Sequence, residues 1–248
     1  MKYILLLLVS IPLFAQKEMT PQMSEAWEPV PEIINPGDAN SPPSDAIVLF
    51  DGTDLSQWIN AKTGKVADWT INPDGSMTVK QDGGIETKEE FGSIQLHIEW
   101  RTPPVIKGKG QGRGNSGVYF QKTYEVQVLD SYNNVTYSNG QAASIYKQSI
   151  PLVNASRPPG EWQTYDVTFH RPLFNDEGEV TRKAKFHVIH NGHVIHDNLE
   201  LSGGTGWRGP HSVSEYKKHG DKGPLKMQDH GNPVRFRNVW VVPIGDKK

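Results

Sequence analysis

The chain has 248 residues, 35% hydrophobic and 22% charged, with a formal net charge of -2 and no cysteine. These proportions fit a globular protein with one substantial core. The near-zero charge, with no Arg/Lys stripe interleaved with aromatics, gives no electrostatic argument for nucleic acid or anionic membranes as partners, and the missing cysteines exclude disulfides and a lipid-modified N-terminal cysteine.

Residues 1–16, MKYILLLLVSIPLFAQ, have the form of a signal peptide. Lys2 supplies a positive start, Ile4 to Phe14 an apolar centre, and Ala15 a small residue at the cleavage position. The apolar stretch is shorter than the ~20 residues that span a bilayer. A soluble periplasmic or secreted protein without a membrane anchor is expected. Residues 17–45 follow as a leader carrying six prolines and no sustained period, which predicts extended, loosely draped chain that Trp27 and Ile33–Ile34 could pin in places.

From residue 46 to 248 the pattern becomes short alternating runs separated by Gly, Asn and Asp turns. DWTINPDGSMTV predicts a hairpin with Pro-Asp-Gly at its tip. SIQLHIEWR sets Ile94, Leu96, Ile98 and Trp100 on one face. SGVYFQ, YEVQVLD, WQTYDVTFHR and KAKFHVIHNGHVIHD follow, the last with the Asn191-Gly192 hairpin signal, and VRFRNVWVVPI closes the series. GQAASIYKQ is the best candidate for a short helix. Many short strands without helices between them predict an all-β, two-sheet antiparallel sandwich.

LFDGTDLSQW, GNSGVYF with YEVQVLD, GEWQTYDV, and LKMQDHGNPVRFRNVWV together resemble the 3-keto-disaccharide hydrolase family, over about residues 46 to 244. The resemblance implies a concanavalin A-like jelly roll. It also implies an activity, cleavage of glycosidic bonds in sugars oxidised at C3, for which an upstream sugar 3-oxidase would be a partner.

The polar residues of YEVQVLD carry the chemistry. With Val126 and Val128 facing inward, Glu125 and Gln127 share the other face, and Asp130 joins them only if a bulge shifts the register. E-x-Q-x-x-D also resembles the E-x-D-x-x-E of laminarinase-type glycosidases, whose outer carboxylates are nucleophile and acid. Gln127 and the shorter Asp130 depart from it, and a retaining pair needs its carboxyls ~5 Å apart. A 3-keto sugar needs less. Its ketone acidifies the C2 proton, so a base can remove it and the C1 substituent leaves by elimination, with hydration completing hydrolysis.

His230 or Glu125 is expected as base, with Asp130 orienting the histidine or acting as acid. Asn115, Ser116, Gln127 and Gln228 are candidates for binding sugar hydroxyls. Lys226 and Arg237 could contact substrate, although Arg235 and Arg237 also suit pairing with neighbouring carboxylates. Trp162 and Trp207 offer flat faces to a sugar, against core packing as the default. His187, His190, His193 and His196 lie in a hairpin that scatters them over both faces, so a surface hairpin is expected rather than a metal site. Carboxylate and carboxamide oxygens would accept Ca2+ or another divalent cation, without any calcium-loop signature to require one. A laminarinase-type glycosidase and a non-catalytic carbohydrate-binding domain are the alternatives, the second expecting a groove dominated by aromatics.

Overall fold

The computed structural model describes residues 20–38, 41–207 and 215–245; the expected signal peptide lies outside them. The chain divides into a unit at Met1–Ile34 and a unit at Asn35–Lys248. The described part of the first holds one 3-10 turn, Pro21–Ser24, and no strand. Among the described residues no helix is long and apolar enough to cross a membrane.

The second unit is built of strands. In chain order these are β1 (Ile47–Phe50), β2 (Trp58–Asn60), β3 (Thr70–Ile71), β4 (Met77–Thr78) and β5 (Ile85–Phe91). Then come β6 (Ile94–Arg101), β7 (Ser116–Phe120), β8 (Tyr124–Val128), β9 (Gln163–His170) and β10 (Leu173–Phe174). The last are β11 (Val180–Arg182), β12 (Lys185–His190), β13 (His193–Glu200), β14 (Gly223–Met227) and β15 (Arg235–Pro243). The larger sheet runs β13-β12-β9-β6-β15-β4-β3, with β1 also on β15, and the smaller runs β2-β5-β14-β7-β8. Neighbouring strands in both sheets pair antiparallel. This is the all-β sandwich that the alternating runs imply.

Alternation in β6 and β9 buries Ile94, Leu96, Ile98, Trp100, Tyr165, Val167 and Phe169. From the smaller sheet Val118, Phe120, Val126, Val128, Leu225 and Met227 are buried as well. Phe120 meets Phe169 and Phe186 at centroid separations of 5.1 and 5.0 Å, tying the sheets together. Each such side chain removed from water contributes about 1.5–3 kcal/mol. Tyr165, fully buried, crosses the core and donates its hydroxyl proton to the Gln127 carbonyl at 2.8 Å. That bond anchors β8 from below, at the centre of the polar stretch.

The expected hairpins form. Asn72 to Ser76 turn between β3 and β4, and Asn191 (φ 50°) and Gly192 (φ 80°) supply the two left-handed residues between β12 and β13. The second hairpin is less superficial than its sequence suggests. His190 stacks on Trp100 and is buried, and His196 is buried against the Ala143 carbonyl, 3.0 Å from Nε2. Only His187 and His193 keep to the surface side, His187 beside Asp197.

GQAASIYKQ is not a helix. Ala143 and Lys147 have φ of 64° and 62°, and the segment runs along the open edge of β8. Gln127 N donates to the Ser144 carbonyl, Ala143 N to that of Gln127 and Tyr146 N to that of Glu125. Those edge bonds satisfy backbone groups of β8 that would otherwise face a cavity wall unpaired, and Ala142, Ala143 and Ile145 are buried in the process.

Candidate active site

β8 presents Glu125 and Gln127 on the face away from the core, as the alternation requires. Yet Glu125 is only 2% exposed and Gln127 1%. A solvated strand face does not look like this. Both residues floor a cavity of about 490 Å³ whose walls are Gln111, Asn115, Tyr119, Tyr137, Tyr146, Trp207, Gln228 and His230. That volume suits a small sugar.

Strand register brings the walls together. β7 sets Gly117 opposite Gln127 and Tyr119 opposite Glu125. β14 sets Lys226 opposite Tyr119 on the other side. Beyond β14, Gln228 N donates to the Gly117 carbonyl at 2.9 Å and Ser116 Oγ donates to the Gln228 carbonyl at 2.7 Å. These two bonds carry the chain past Gln228 to His230 at the rim.

Burial pushes the Glu125 carboxyl up to about 7, against a hydrogen bond from Tyr119 and the nearby Lys226 charge, which both favour the ionised form. A carboxyl poised near neutrality can accept a proton and return it at physiological pH. The Gln127 carboxamide lies with one end 3.2 Å from Glu125 Oε1 and 3.2 Å from the Ser116 carbonyl. Both neighbours are oxygens, so its nitrogen belongs on that side and donates to them. Asn115 is buried and donates from Nδ2 to the Gln111 carbonyl at 2.7 Å, while its Oδ1 is an acceptor with no partner in the protein. A buried acceptor left so carries an unmet desolvation cost. On the far wall Tyr137 and Tyr146 share a hydrogen bond at 2.8 Å, with the Lys147 ammonium 3.6 Å from the Tyr137 ring centroid. Trp207, 82% exposed, stands at the rim.

Of the residues singled out in the sequence, Glu125, Gln127, Asn115, Gln228 and His230 therefore share one cavity, and Trp207 joins them rather than the core. Lys226 is not part of the lining; its ammonium lies 5.3 Å from the centroid of the Tyr119 ring. Ser116 is fully buried, with its hydroxyl committed to the Gln228 carbonyl, so it shapes the site without facing it.

Three of the candidates lie outside this cavity. Asp130 does not join Glu125: no bulge shifts the register, and its carboxylate is buried against Arg113 Nε at 2.7 Å. Arg113 also donates to the Tyr132 and Asn133 carbonyls, so Asp130 fixes a turn, on a separate cavity of about 590 Å³ beside Thr102 and Pro103. Arg237 lies on β15 in the other sheet, held to Glu99 at 2.7 Å. Trp162 is neither in that core nor in the cavity; the guanidinium groups of Arg101 and Arg237 lie 4.6 and 4.1 Å from its ring centroid.

The donor set does not fit a calcium ion. Among the described residues Glu125 is the single carboxylate in the cavity lining, the other members being carboxamides, phenols, the Trp207 indole and the His230 imidazole, and no three His, Cys, Asp or Glu side chains converge to hold a metal. Tyr119, Gln111, Tyr137 and Tyr146 escaped the sequence reading. For Tyr119 a signal exists: in an antiparallel pair closed by the short turn after Phe120, counting back places Tyr119 across from Glu125.

Residues 45–242 match the family described as 3-keto-alpha-glucoside-1,2-lyase-like domain. The chain belongs to this family. A 3-keto-disaccharide hydrolase of Bacteroides thetaiotaomicron is 26% identical, over 79% of this chain and 77% of that protein. A Parabacteroides distasonis protein, provisionally described as a glycosyl hydrolase, is 47% identical and superimposes with a TM-score of 0.86 over 91% of this chain and 97% of its own. A second protein of that organism, under the same description, is 21% identical with a TM-score of 0.59 over 81% of this chain and 94% of its own, and shares the fold. The two closer-matching relatives and the family thus carry names of sugar-cleaving activities.

Proposed function

We propose that this family member cleaves the glycosidic bond of 3-keto-glycosides, 3-keto-disaccharides among them, by abstraction of the C2 proton and elimination, followed by hydration. The observation that carries this reading is the solitary carboxyl. Double displacement needs two carboxyls ~5 Å apart, and inversion needs two at ~6.5–9.5 Å. Among the described residues the cavity offers Glu125 alone, and Asp130 is committed to Arg113. Elimination needs one base. The laminarinase-type alternative loses its second acid for the same reason.

In this reading Glu125 is the base. Asn115 Oδ1 and the carboxamides of Gln127 and Gln228 hold hydroxyls, and Gln228 with His230, from one segment, donates to the ketone oxygen as it gains charge. The rings of Tyr137, Tyr146 and Trp207 give the sugar flat faces to lie against. The signal-peptide pattern at residues 1–16 supports export to the periplasm or beyond, and the substrate class calls for an upstream oxidation at C3.

The test is incubation with a 3-keto-disaccharide and its unoxidised parent in deuterated water, with a no-enzyme control for slow exchange. Free sugar from the keto substrate alone, with deuterium at C2, is expected, and Glu125→Gln should remove both signals. Product that keeps its C2 hydrogen would return the site to direct displacement at C1. Cleavage of the parent sugar would do the same.

A further inference from the structure

Elimination moves one proton onto the base and requires another for the departing oxygen. The structure has a candidate for the second proton beside the residue that takes the first. Tyr119 lines the cavity beside Glu125; the Glu125 carboxylate and the edge of the Tyr119 ring flank the same point above Gly117, and the Tyr119 hydroxyl accepts a hydrogen bond from Gln228 Nε2 at 3.2 Å. Register fixes it from both sides, opposite Glu125 on β8 and opposite Lys226 on β14. His230, the other acid/base residue of the lining, is exposed at the rim.

We infer, on the reading that the substrate is a 3-keto-glycoside, that Tyr119 is the general acid of the elimination and is recharged by Glu125, its neighbour across the strand pair and in the cavity wall. The Glu125 carboxylate takes the C2 proton, and the C–H electron pair becomes the C2=C3 bond of an enolate with the charge on the C3 oxygen. The enolate then re-forms the C3 carbonyl and its electron pair makes a C1=C2 bond. The C1–O bond breaks, and the leaving oxygen takes the Tyr119 proton. The phenolate that remains takes the proton held by Glu125. Products are an enone and a free alcohol, and the pair is back in its starting state without having drawn a proton from water.

The surroundings suit this role. Burial and the adjacent carboxylate push the phenol well above its ordinary value, so it stays protonated at rest and yields only to a base as strong as a departing alkoxide. With Tyr119 and Glu125 directly opposite each other and lining the same cavity, the return step is a transfer between neighbouring side chains.

The experiment uses Tyr119→Phe, which keeps the ring and removes the proton. Loss of general acid catalysis should slow turnover of a 3-keto-disaccharide by about 100-fold or more. A 3-keto-glucoside with 4-nitrophenoxide as leaving group needs no acid, and should slow by only a few-fold. Exchange of the C2 hydrogen with deuterated water should persist in the variant, since Glu125 remains. A second measurement needs no variant: the wild-type rate across a series of aryl 3-keto-glucosides should depend little on leaving-group acidity. Equal slowing of both substrates, no slowing of either, or a steep wild-type dependence would overturn the assignment. Wild-type protein that neither exchanges C2 nor cleaves any 3-keto-glycoside would instead overturn the substrate reading, and this one with it.

Discussion

Gly117 lies directly beneath the Glu125 carboxylate. A methyl group on its α-carbon would stand 2.2 Å from Oε1 and 3.0 Å from the carboxyl carbon. Gly117 is in β7, so the requirement is for space under a neighbouring strand's side chain. Gly117→Ala should displace the carboxylate and cut kcat/KM by at least about tenfold, while overpacking costs about 1–3 kcal/mol of stability. Steady-state kinetics with a thermal melt would separate the two, and an alanine variant of full activity would mean that the carboxylate position is immaterial.

Activity should rise with pH and reach half its plateau at about 7, where Glu125 becomes ionised and able to accept a proton. Replacing Lys226 by Met removes a nearby charge that favours ionisation, so the acid limb should move to higher pH. Both are read from kcat/KM against pH.

The same carboxyl makes a stability claim of known sign. Its folded value of about 7 lies above the ordinary 4.5, so the folded state holds the extra proton between these values and loses stability as pH rises through them. Above about 7 the wild type bears this cost in full and Glu125→Gln does not. The inactive variant should therefore be the more stable protein at pH 8, by up to roughly 3 kcal/mol. Denaturant melts at pH 4.5 and pH 8 would show the difference growing with pH.

Asp130 is expected to matter for folding only. Asp130→Asn leaves the Arg113 guanidinium buried without its carboxylate, which costs about 3–5 kcal/mol. The protein that remains folded should turn over within a few-fold of wild type. If the Asp130→Asn variant proved stable but inactive, Asp130 would return to the chemistry.

Acid should weaken the hairpin that packs on the core. Burial lowers His190 to about 3 and His196 to about 4, from 6.5. Folded values below the unfolded one mean that the unfolded chain gains protons first, so stability falls as pH drops from about 6.5. His196→Gln keeps a donor for the Ala143 carbonyl and removes the titration. It should flatten the loss between pH 6.5 and pH 4.5 by about 2 kcal/mol, measurable as a smaller drop in Tm than the wild type shows.

Much of the fold was legible because period-two alternation is local. Ile94 to Trp100 and Val126 with Val128 declare an inner face without reference to any other strand, and Asn191-Gly192 declares a turn. β5 escaped notice, since IETKEEF carries its polar residues in a run and is a strand only by virtue of β2 and β14 on either side. The site divides in the same way. That Glu125 and Gln127 share a face follows from the strand alone.

What the strand could not decide is whether that face meets water. Residues 143–146 fold back along the edge of β8, and Tyr137, Tyr146 and the Gln228–His230 segment raise walls around it, all from distant positions in the chain. Their closure desolvates one carboxyl and moves it toward neutrality. It likewise fell to tertiary structure to separate Asp130 from Glu125, because the partner that removes Asp130 from the chemistry, Arg113, lies 17 residues away. Sequence spacing can place two acids near each other, but the charges and the solvent around each acid decide its ionisation, and those come from the assembled sheets.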